Sequence, residues 1–148
     1  MELSSSIDIA ASVDRVWGLT VDVERWPALT PTITEVVRLD DGPFGLGSRA
    51  RIRQPRQRPR TWTVTRFEPG RCFEWATRVG TVEMVGGHRL EATAGGCRNV
   101  LTLRLEGRGS AWLGRLARRQ LQTAIDTENV GFRRAAEAVS APAGPAPR

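Results

Sequence analysis

The chain lacks several residues and segments that would mark particular classes of protein. Among its 148 residues there is one histidine, there are two cysteines and there is no lysine. One histidine with the separated Cys72 and Cys97 makes no metal-ligand cluster, so we expect neither a metal nor another cofactor. No apolar run approaches the roughly 20 residues that span a bilayer, and the first residues, MELSSSIDIA, do not resemble a signal peptide. We therefore expect a cytoplasmic protein with reduced thiols.

All 22 basic residues are arginines, and the formal net charge is +6. A basic chain can bind nucleic acid, but no nucleic-acid-binding module accompanies this charge, so we do not expect that partner. Six arginines are concentrated between Arg49 and Arg60, in RARIRQPRQRPR. This segment could contact an acidic protein or an anionic membrane. A solvated strand face and turn is the simpler interpretation.

The length predicts a single domain over residues 1–140, followed by a Pro/Ala-rich tail at 141–148 that we expect to be disordered. The domain begins with a strand-like alternation over residues 3–9. Two short helical pieces follow within residues 11–31. They contain Trp17 and Trp26, and Pro27 is expected to end the second piece.

Six further segments read as strands because they alternate in polarity or are bounded by turn residues, at 33–39, 49–54, 61–67, 72–77, 81–92 and 99–105. Their short connections predict an antiparallel meander. Gly86-Gly87 would permit a bulge or a sharp bend in the longest of them. A helix over about 111–139 closes the chain, and Gly131 is a weak point within it.

This order of elements predicts an α+β fold, in which a curved antiparallel sheet of about seven strands surrounds a long C-terminal helix. The helix must be buried against one face of the sheet. Because a sheet of this size twists, the two surfaces cannot touch along their whole length, and a cavity is expected between them. The two short helices would close one end, with Trp17 in the core and Trp26 nearer the mouth.

Several short motifs carry a resemblance to a known superfamily. They are Ala10-Ala11 before Val16-Trp17, the run DVERWP at 22–27, Gly47-Ser48, Trp62 and Val64 ahead of FEPG at 67–70, Phe73 and Trp75, HRLE at 88–91, and Gly95-Gly96. Over about residues 3–139 the chain resembles the START-like helix-grip superfamily (SRPBCC), and more narrowly its bacterial polyketide cyclase/dehydrase-like proteins. The resemblance implies this fold and a hydrophobic cavity. It does not choose a function, because the superfamily includes carriers, receptors, cyclases and hydrolases.

The inward parity of the strands and the apolar stripe of the last helix predict which residues line the cavity. Mostly apolar linings with a few polar groups are typical of small-molecule sites, although the same residues could simply fill a core. The predicted ligand-binding residues are Trp17, Trp26, Ile52, Gln54, Trp62, Val64, Phe73, Trp75, Met84, Leu90, Leu101, Leu103, Leu116, Gln120, Leu121 and Ala124.

Two residues are candidates for catalysis. His88 lies on the inward parity of its strand and could act as a general acid or base, or hydrogen-bond a ligand carbonyl. The alternative is a core histidine satisfied by its neighbours. Arg66 shares the parity of Trp62 and Val64 and could stabilise an enolate, although a solvated rim position is the simpler interpretation. Glu128, late on the last helix, could lie near its apolar stripe, although a solvated face is the simpler interpretation.

Three functions remain open. The preferred one is binding of a lipid-, steroid- or polyketide-like molecule, because an aromatic cavity is predicted without convergent catalytic groups. The second is an aromatase/cyclase that catalyses aldol cyclisation and dehydration of a polyketide, with His88 and Arg66 as its catalytic residues. The third is an interaction or stress-response module acting through the segment from Arg49 to Arg60.

Overall fold

The computed structural model describes residues 1–138, so the predicted tail at 141–148 lies outside the described residues. One sheet of seven antiparallel strands has the spatial order β1-β7-β6-β5-β4-β3-β2. Strands β2 to β7 therefore form the predicted meander, and β1 pairs with β7. The strands are β1 Glu2–Ile9, β2 Glu35–Arg38, β3 Arg49–Arg53, β4 Arg60–Glu68, β5 Cys72–Val79, β6 Val82–Thr93 and β7 Gly96–Gly107.

The helices lie where the sequence predicts them. They are α1 Val13–Val21, α2 Trp26–Leu29 and α3 Ser110–Glu137, with a 3₁₀ turn at Val23–Arg25. Ser12 caps α1 by accepting a hydrogen bond from the Arg15 amide. The prediction that Pro27 ends a helix is wrong, since Pro27 lies in the first turn of α2. A helix leaves its first amides unbonded, so proline is tolerated there. The α+β helix-grip arrangement is confirmed.

Helix α3 packs mainly against β1 and β7. A fully buried pair of amides joins it to the sheet, because Asn99 Nδ2 donates to Asn129 Oδ1 at 2.9 Å and Asn129 Nδ2 donates to Ser5 Oγ at 3.2 Å. Unpaired polar groups are costly when buried, so these bonds favour one position of α3 over the sheet. The middle of the same helix faces β3 to β6 across open space.

Glycines have roles here that the sequence did not indicate. A Cβ atom at Gly131 would collide with the carbonyl oxygen of Leu29, so this glycine allows α3 to approach α2 closely. Gly86 and Gly87 pair with β5 and β7 without a register shift, so the sheet has no bulge at these two residues. The register shift instead lies in β4, between Val64 and Arg66. Within residues 1–138, no helix combines the length and apolarity needed to cross a membrane.

Candidate functional site

A cavity of about 270 Å³ lies between the inner face of the sheet and the middle of α3. Strands β3 to β7, α2 with the residues after it, the β3–β4 loop and α3 all contribute to its lining. The lining consists of Trp26, Thr32, Ile33, Ile52, Gln54, Pro55, Gln57, Arg60, Trp62, Trp75, Met84, Gly86, Gly87, His88, Leu101, Thr102, Leu103, Gln120, Leu121, Ala124, Ile125 and Glu128.

The structure brings most of the predicted site residues together around this cavity. They come from β3 to β7, from α2 and from one face of α3, as strand parity and helical periodicity predict. Their roles in binding a ligand stay a prediction. The predicted residues in the lining are Trp26, Ile52, Gln54, Trp62, Trp75, Met84, His88, Leu101, Leu103, Gln120, Leu121 and Ala124.

Five predicted ligand-binding residues lie outside the lining. Val64, Phe73 and Leu90 are buried in the core. Trp17 packs against Phe67 and Phe73, with ring centroids 5.6 and 6.5 Å away. Leu116 is 67% exposed, because it projects from the outer face of α3. Helical periodicity placed Leu116 on the apolar stripe of α3, but it does not predict which part of the helix packs against the sheet.

The prediction that Arg66 shares the inward parity of Trp62 and Val64 is wrong. Between Val64 and Arg66 the chain contains one residue, Thr65, that β5 does not match, and this bulge reverses the alternation. Arg66 is therefore exposed on the outer face of the sheet, where its Nε donates to Glu68 Oε1 at 3.1 Å. It cannot reach a ligand in the cavity.

Trp26 lies deeper in the fold than expected, and Trp17 lies outside the cavity lining. Trp26 is 1% exposed and its ring lies 5.2 Å from that of Trp75 and 4.9 Å from that of His88. Its Nε1 donates to the Leu19 carbonyl at 3.2 Å, so its polar atom is satisfied inside the fold. Trp17 is only partly buried. Trp26 thus forms an inner wall of the cavity rather than its mouth.

His88 is enclosed by aromatic rings. Phe73 stacks on it at 4.7 Å with 14° between the planes, and Trp26, Trp75 and Phe132 contact its other sides. Burial among these rings lowers the pKa of His88 to about 3, because an apolar surrounding disfavours the imidazolium. At neutral pH the ring is uncharged. Its buried Nδ1 has no hydrogen-bond partner among the described residues.

Glu128 of α3 is the functional candidate that the sequence analysis assigned to solvent. Its side chain is 14% exposed and lines the cavity, with Oε1 3.9 Å from His88 Nε2. Burial raises its pKa to about 7, so the carboxyl group keeps its proton over much of the acidic range. Its four-residue spacing from Gln120 and Ala124 is compatible with the cavity face, but Leu116 shares that spacing and is exposed, so spacing alone did not identify Glu128.

The opening of the cavity is polar, unlike its interior. Pro55, Gln57 and Gln120 are the exposed members of the lining, so the mouth lies between the β3–β4 loop and α3. Arg60 borders the same opening. Within residues 1–138 no group of three or more His, Cys, Asp or Glu side chains is placed to hold a metal ion. The arrangement can therefore enclose an apolar molecule and offer it His88 and Glu128 at the inner end.

Comparison with protein families identifies the family of the chain but not its substrate. The sequence pattern described as polyketide cyclase / dehydrase and lipid transport matches residues 1–137. The chain belongs to this family. Membership supports ligand binding or polyketide cyclisation, without specifying a substrate. No curated protein sequence matches the chain.

Solved structures agree with the family fold at low sequence identity. The two-domain aromatase/cyclase StfQ of the steffimycin pathway is 14% identical with a TM-score of 0.77; the match covers 92% of this chain but 50% of StfQ. TTHA0849 of Thermus thermophilus is 18% identical, with a TM-score of 0.73 and coverage of 93% and 100%. Zhui aromatase/cyclase of Streptomyces sp. R1128 is 20% identical, with a TM-score of 0.65 and coverage of 91% and 95%. At these identities the likeness establishes the fold alone.

Proposed function

We propose that this protein binds a compact, largely apolar molecule of lipid, steroid or polyketide type in the cavity between the sheet and α3. The observation that carries the proposal is an aromatic cavity that is also lined by two largely buried polar groups, His88 and Glu128. Burial disfavours the charged form of both. Such a site favours ligands with a flat apolar body and a carbonyl or hydroxyl group at one end.

The walls support a flat ligand. Trp26, Trp62 and Trp75 form a contiguous group, with ring centroids 5.2 Å apart for Trp26–Trp75 and 5.6 Å for Trp62–Trp75. Aromatic faces stack well against ring systems and conjugated chains. The volume of about 270 Å³ is just below the roughly 300–1,000 Å³ usual for ligand pockets. This favours a molecule of a few fused rings, or one short chain, over a lipid with two acyl chains.

The inner polar pair supports a ligand with a hydrogen-bonding end. At 3.9 Å, the separation of His88 Nε2 and Glu128 Oε1 exceeds hydrogen-bond length, so neither group satisfies the other. Both side chains are largely buried, at 6% and 14% exposure, and both line the cavity. A ligand carbonyl or hydroxyl could therefore form hydrogen bonds to them. A wholly apolar ligand would leave both polar groups without a partner when it fills the cavity, and should bind more weakly.

Binding is tested with a panel of steroids, flavonoids, fatty acids and polyketides. The two signals of binding are a change in the thermal unfolding midpoint and a change in tryptophan fluorescence. Ala124→Met adds volume to the cavity wall, whereas Val130→Met changes the exposed side of the same helix. We expect at least one compound to raise the midpoint, and Ala124→Met to weaken its binding about 10-fold or more while Val130→Met does not. The proposal fails if no compound in the panel gives either signal.

A second candidate function, polyketide cyclisation and dehydration, is favoured by the protonation states of the same pair. Neutral His88 can accept a proton at Nε2, and protonated Glu128 can donate one. In an aldol cyclisation, His88 would remove a proton from a carbon beside a carbonyl, and that carbon would attack a second carbonyl. Glu128 would protonate the resulting alkoxide to a hydroxyl group. Transfer of the proton from His88 to the Glu128 carboxylate restores the pair. In the dehydration, His88 would remove a second proton from the same carbon, a carbon–carbon double bond would form as the C–O bond breaks, and Glu128 would protonate the departing hydroxyl to water. The same proton transfer from His88 to Glu128 would restore the pair again.

This candidate is tested with a poly-β-ketone substrate and the variants Glu128→Gln and His88→Gln. We expect each to lower kcat about 100-fold or more, the order of effect of losing an acid or base. Arg66→Gln, on the outer face, should retain turnover. Cyclisation that is equally fast in Glu128→Gln and His88→Gln would exclude this role, while tight binding without turnover would leave the chain a binding protein.

A further inference from the structure

The N-terminal half of α3 presents an unusual surface on the side away from the sheet. Trp112, Arg115, Leu116 and Arg119 are spaced i, i+3, i+4 and i+7, so they share one side of the helix, here called the α3 outer face. Trp112 is 69% exposed and Leu116 is 67% exposed. Large apolar side chains at adjacent turns, both open to solvent, suggest a surface that a partner covers.

The charges on this face are not neutralised locally. Arg115 and Arg119 form no ion pair with any described residue. Some arginines on the outer face of the sheet differ, since Arg66, Arg98 and Arg104 each lie within 4.0 Å of a carboxylate. Arg49 and Arg51, on the same face, form no such pair within residues 1–138. The α3 outer face therefore combines exposed apolar groups with an unopposed positive charge, which is complementary to an apolar surface that carries anions.

This face adjoins the mouth of the cavity. Gln120, one turn after Leu116, lines the cavity. The opposite side of the mouth is formed by the β3–β4 loop, where Arg56 and Arg58 are exposed, and by Arg60 at the start of β4, which lines the cavity. None of these three arginines forms an ion pair within residues 1–138. The opening is thus flanked by unpaired arginines from two elements, with the exposed tryptophan and leucine beside it.

We propose that the α3 outer face docks on the surface of an anionic lipid bilayer. Trp112 and Leu116 would enter the boundary between headgroups and acyl chains, and Arg115 and Arg119 would contact lipid phosphates. Tryptophan, leucine and arginine are the residues that interfacial helices use for these contacts. The mouth of the cavity would then lie next to the lipid, so that an apolar ligand could pass between bilayer and cavity without crossing water.

A bilayer fits this face better than a protein partner does. A stable protein interface buries about 1,200–2,000 Å² in total, with an apolar centre built from many side chains. Two exposed apolar side chains with arginines between them do not provide such a centre. A bilayer requires no matching shape, and insertion of a few apolar side chains together with phosphate contacts is sufficient for reversible binding.

The test is co-flotation of the full chain with vesicles of phosphatidylcholine, with and without phosphatidylglycerol, at low and high salt. The variant Trp112→Ser/Leu116→Ser removes the apolar contacts, and Arg115→Gln/Arg119→Gln removes the charges. Leu46→Ser, at an exposed leucine elsewhere, and Arg133→Gln, at an exposed arginine late in α3, are matched controls. Circular dichroism and size-exclusion chromatography of every variant establish that each is folded and show its oligomeric state.

We expect binding to vesicles with phosphatidylglycerol that weakens at high salt. Each double variant should bind about 10-fold or more weakly, while both controls bind as the parent does. Absence of binding to anionic vesicles overturns the proposal, as does equal binding by the double variants. A dimer of the parent that Trp112→Ser/Leu116→Ser converts to a monomer would also overturn it, because a second copy of the chain would then cover this face. None of these results depends on whether the cavity holds a ligand.

Discussion

His88 Nε2 on β6 and Glu128 Oε1 on α3 lie 3.9 Å apart inside an aromatic cavity, and burial shifts their pKa values in opposite directions. An apolar surrounding disfavours charge, so it lowers the pKa of the imidazole to about 3 and raises that of the carboxyl group to about 7. Between these values both groups are mostly neutral. The pair is therefore a donor and an acceptor without a salt bridge, which suits an uncharged polar group on a ligand.

The first prediction concerns Glu128 and stability. A pKa raised from 4.5 to about 7 means that the folded chain holds a proton which the unfolded chain releases. This stabilising contribution is present below pH 4.5 and is lost as the pH rises through about 7, at a cost of roughly 3 kcal/mol. Glu128→Gln removes that dependence. We measure the unfolding free energy of the variant and of the parent by urea titration at several pH values. The difference, variant minus parent, should increase by about 1–3 kcal/mol from about pH 4.5 to pH 8.

The control is Glu91→Gln, at an exposed position on β6. It should change stability little at either pH. If Glu128→Gln and the parent keep the same difference in unfolding free energy across this range, Glu128 is not buried as described, and its place in the ligand site must be given up.

The second prediction concerns His88 at acidic pH. Its pKa is lowered from 6.5 to about 3, so only the unfolded chain gains a proton as the pH falls between these values. The stability that depends on neutral His88 is complete above pH 6.5 and is lost toward pH 3, by roughly 5 kcal/mol. His88→Phe, which suits the surrounding aromatic rings, should remove this loss. Unfolding free energies from about pH 7 to 4, in a Glu128→Gln background, isolate the effect.

The background matters because Glu128 titrates in the same range with the opposite sign. The comparison is therefore between Glu128→Gln and the double variant Glu128→Gln/His88→Phe. We expect the double variant to lose less stability on acidification. Equal losses in the two would contradict the buried position of His88.

The fold could be predicted closely because alternation and short turns are local signals. The seven strands and the long helix follow from residues such as Leu101, Leu103 and Leu105, whose parity the structure retains. Parity failed at Arg66, because a single unmatched residue, Thr65, reverses the alternation and nothing in the local sequence marks it. Such a bulge depends on how two strands pair, which a single strand does not encode.

Glu128 shows a second limit of the sequence. A glutamate on a long helix is usually solvated, so composition favours the outer face. Its burial depends on where α3 separates from the sheet, and that depends on contacts such as Asn99 with Asn129 and Gly131 with Leu29. These contacts join residues far apart in the chain. The helix was therefore predictable, whereas the segment of it that faces the cavity was not.

The third prediction separates the inner site from the outer face of the sheet. Arg66→Gln should leave the affinity for any ligand found in the panel within about 2-fold, because Arg66 lies outside the cavity. It should also leave the free energy of unfolding nearly unchanged, since its ion pair with Glu68 is largely exposed. Calorimetric titration and urea unfolding measure the two quantities. A large loss of affinity with unchanged stability would restore Arg66 as a binding residue.

The fourth prediction concerns the close approach of α3 to α2. Gly131→Ala should destabilise the fold by about 2–3 kcal/mol, because its Cβ would collide with the rigid backbone carbonyl of Leu29. Gly18→Ala is the matched control, since Gly18 lies exposed in α1 with open space around it and should gain about 0.5–1 kcal/mol. The two variants make the same chemical change within helices, so opposite signs in urea unfolding would isolate the contact. If Gly131→Ala is as stabilising as Gly18→Ala, α3 does not approach Leu29 closely. The position of Trp26, three residues before Leu29 on the same short helix, would then lose its support as an inner wall of the cavity.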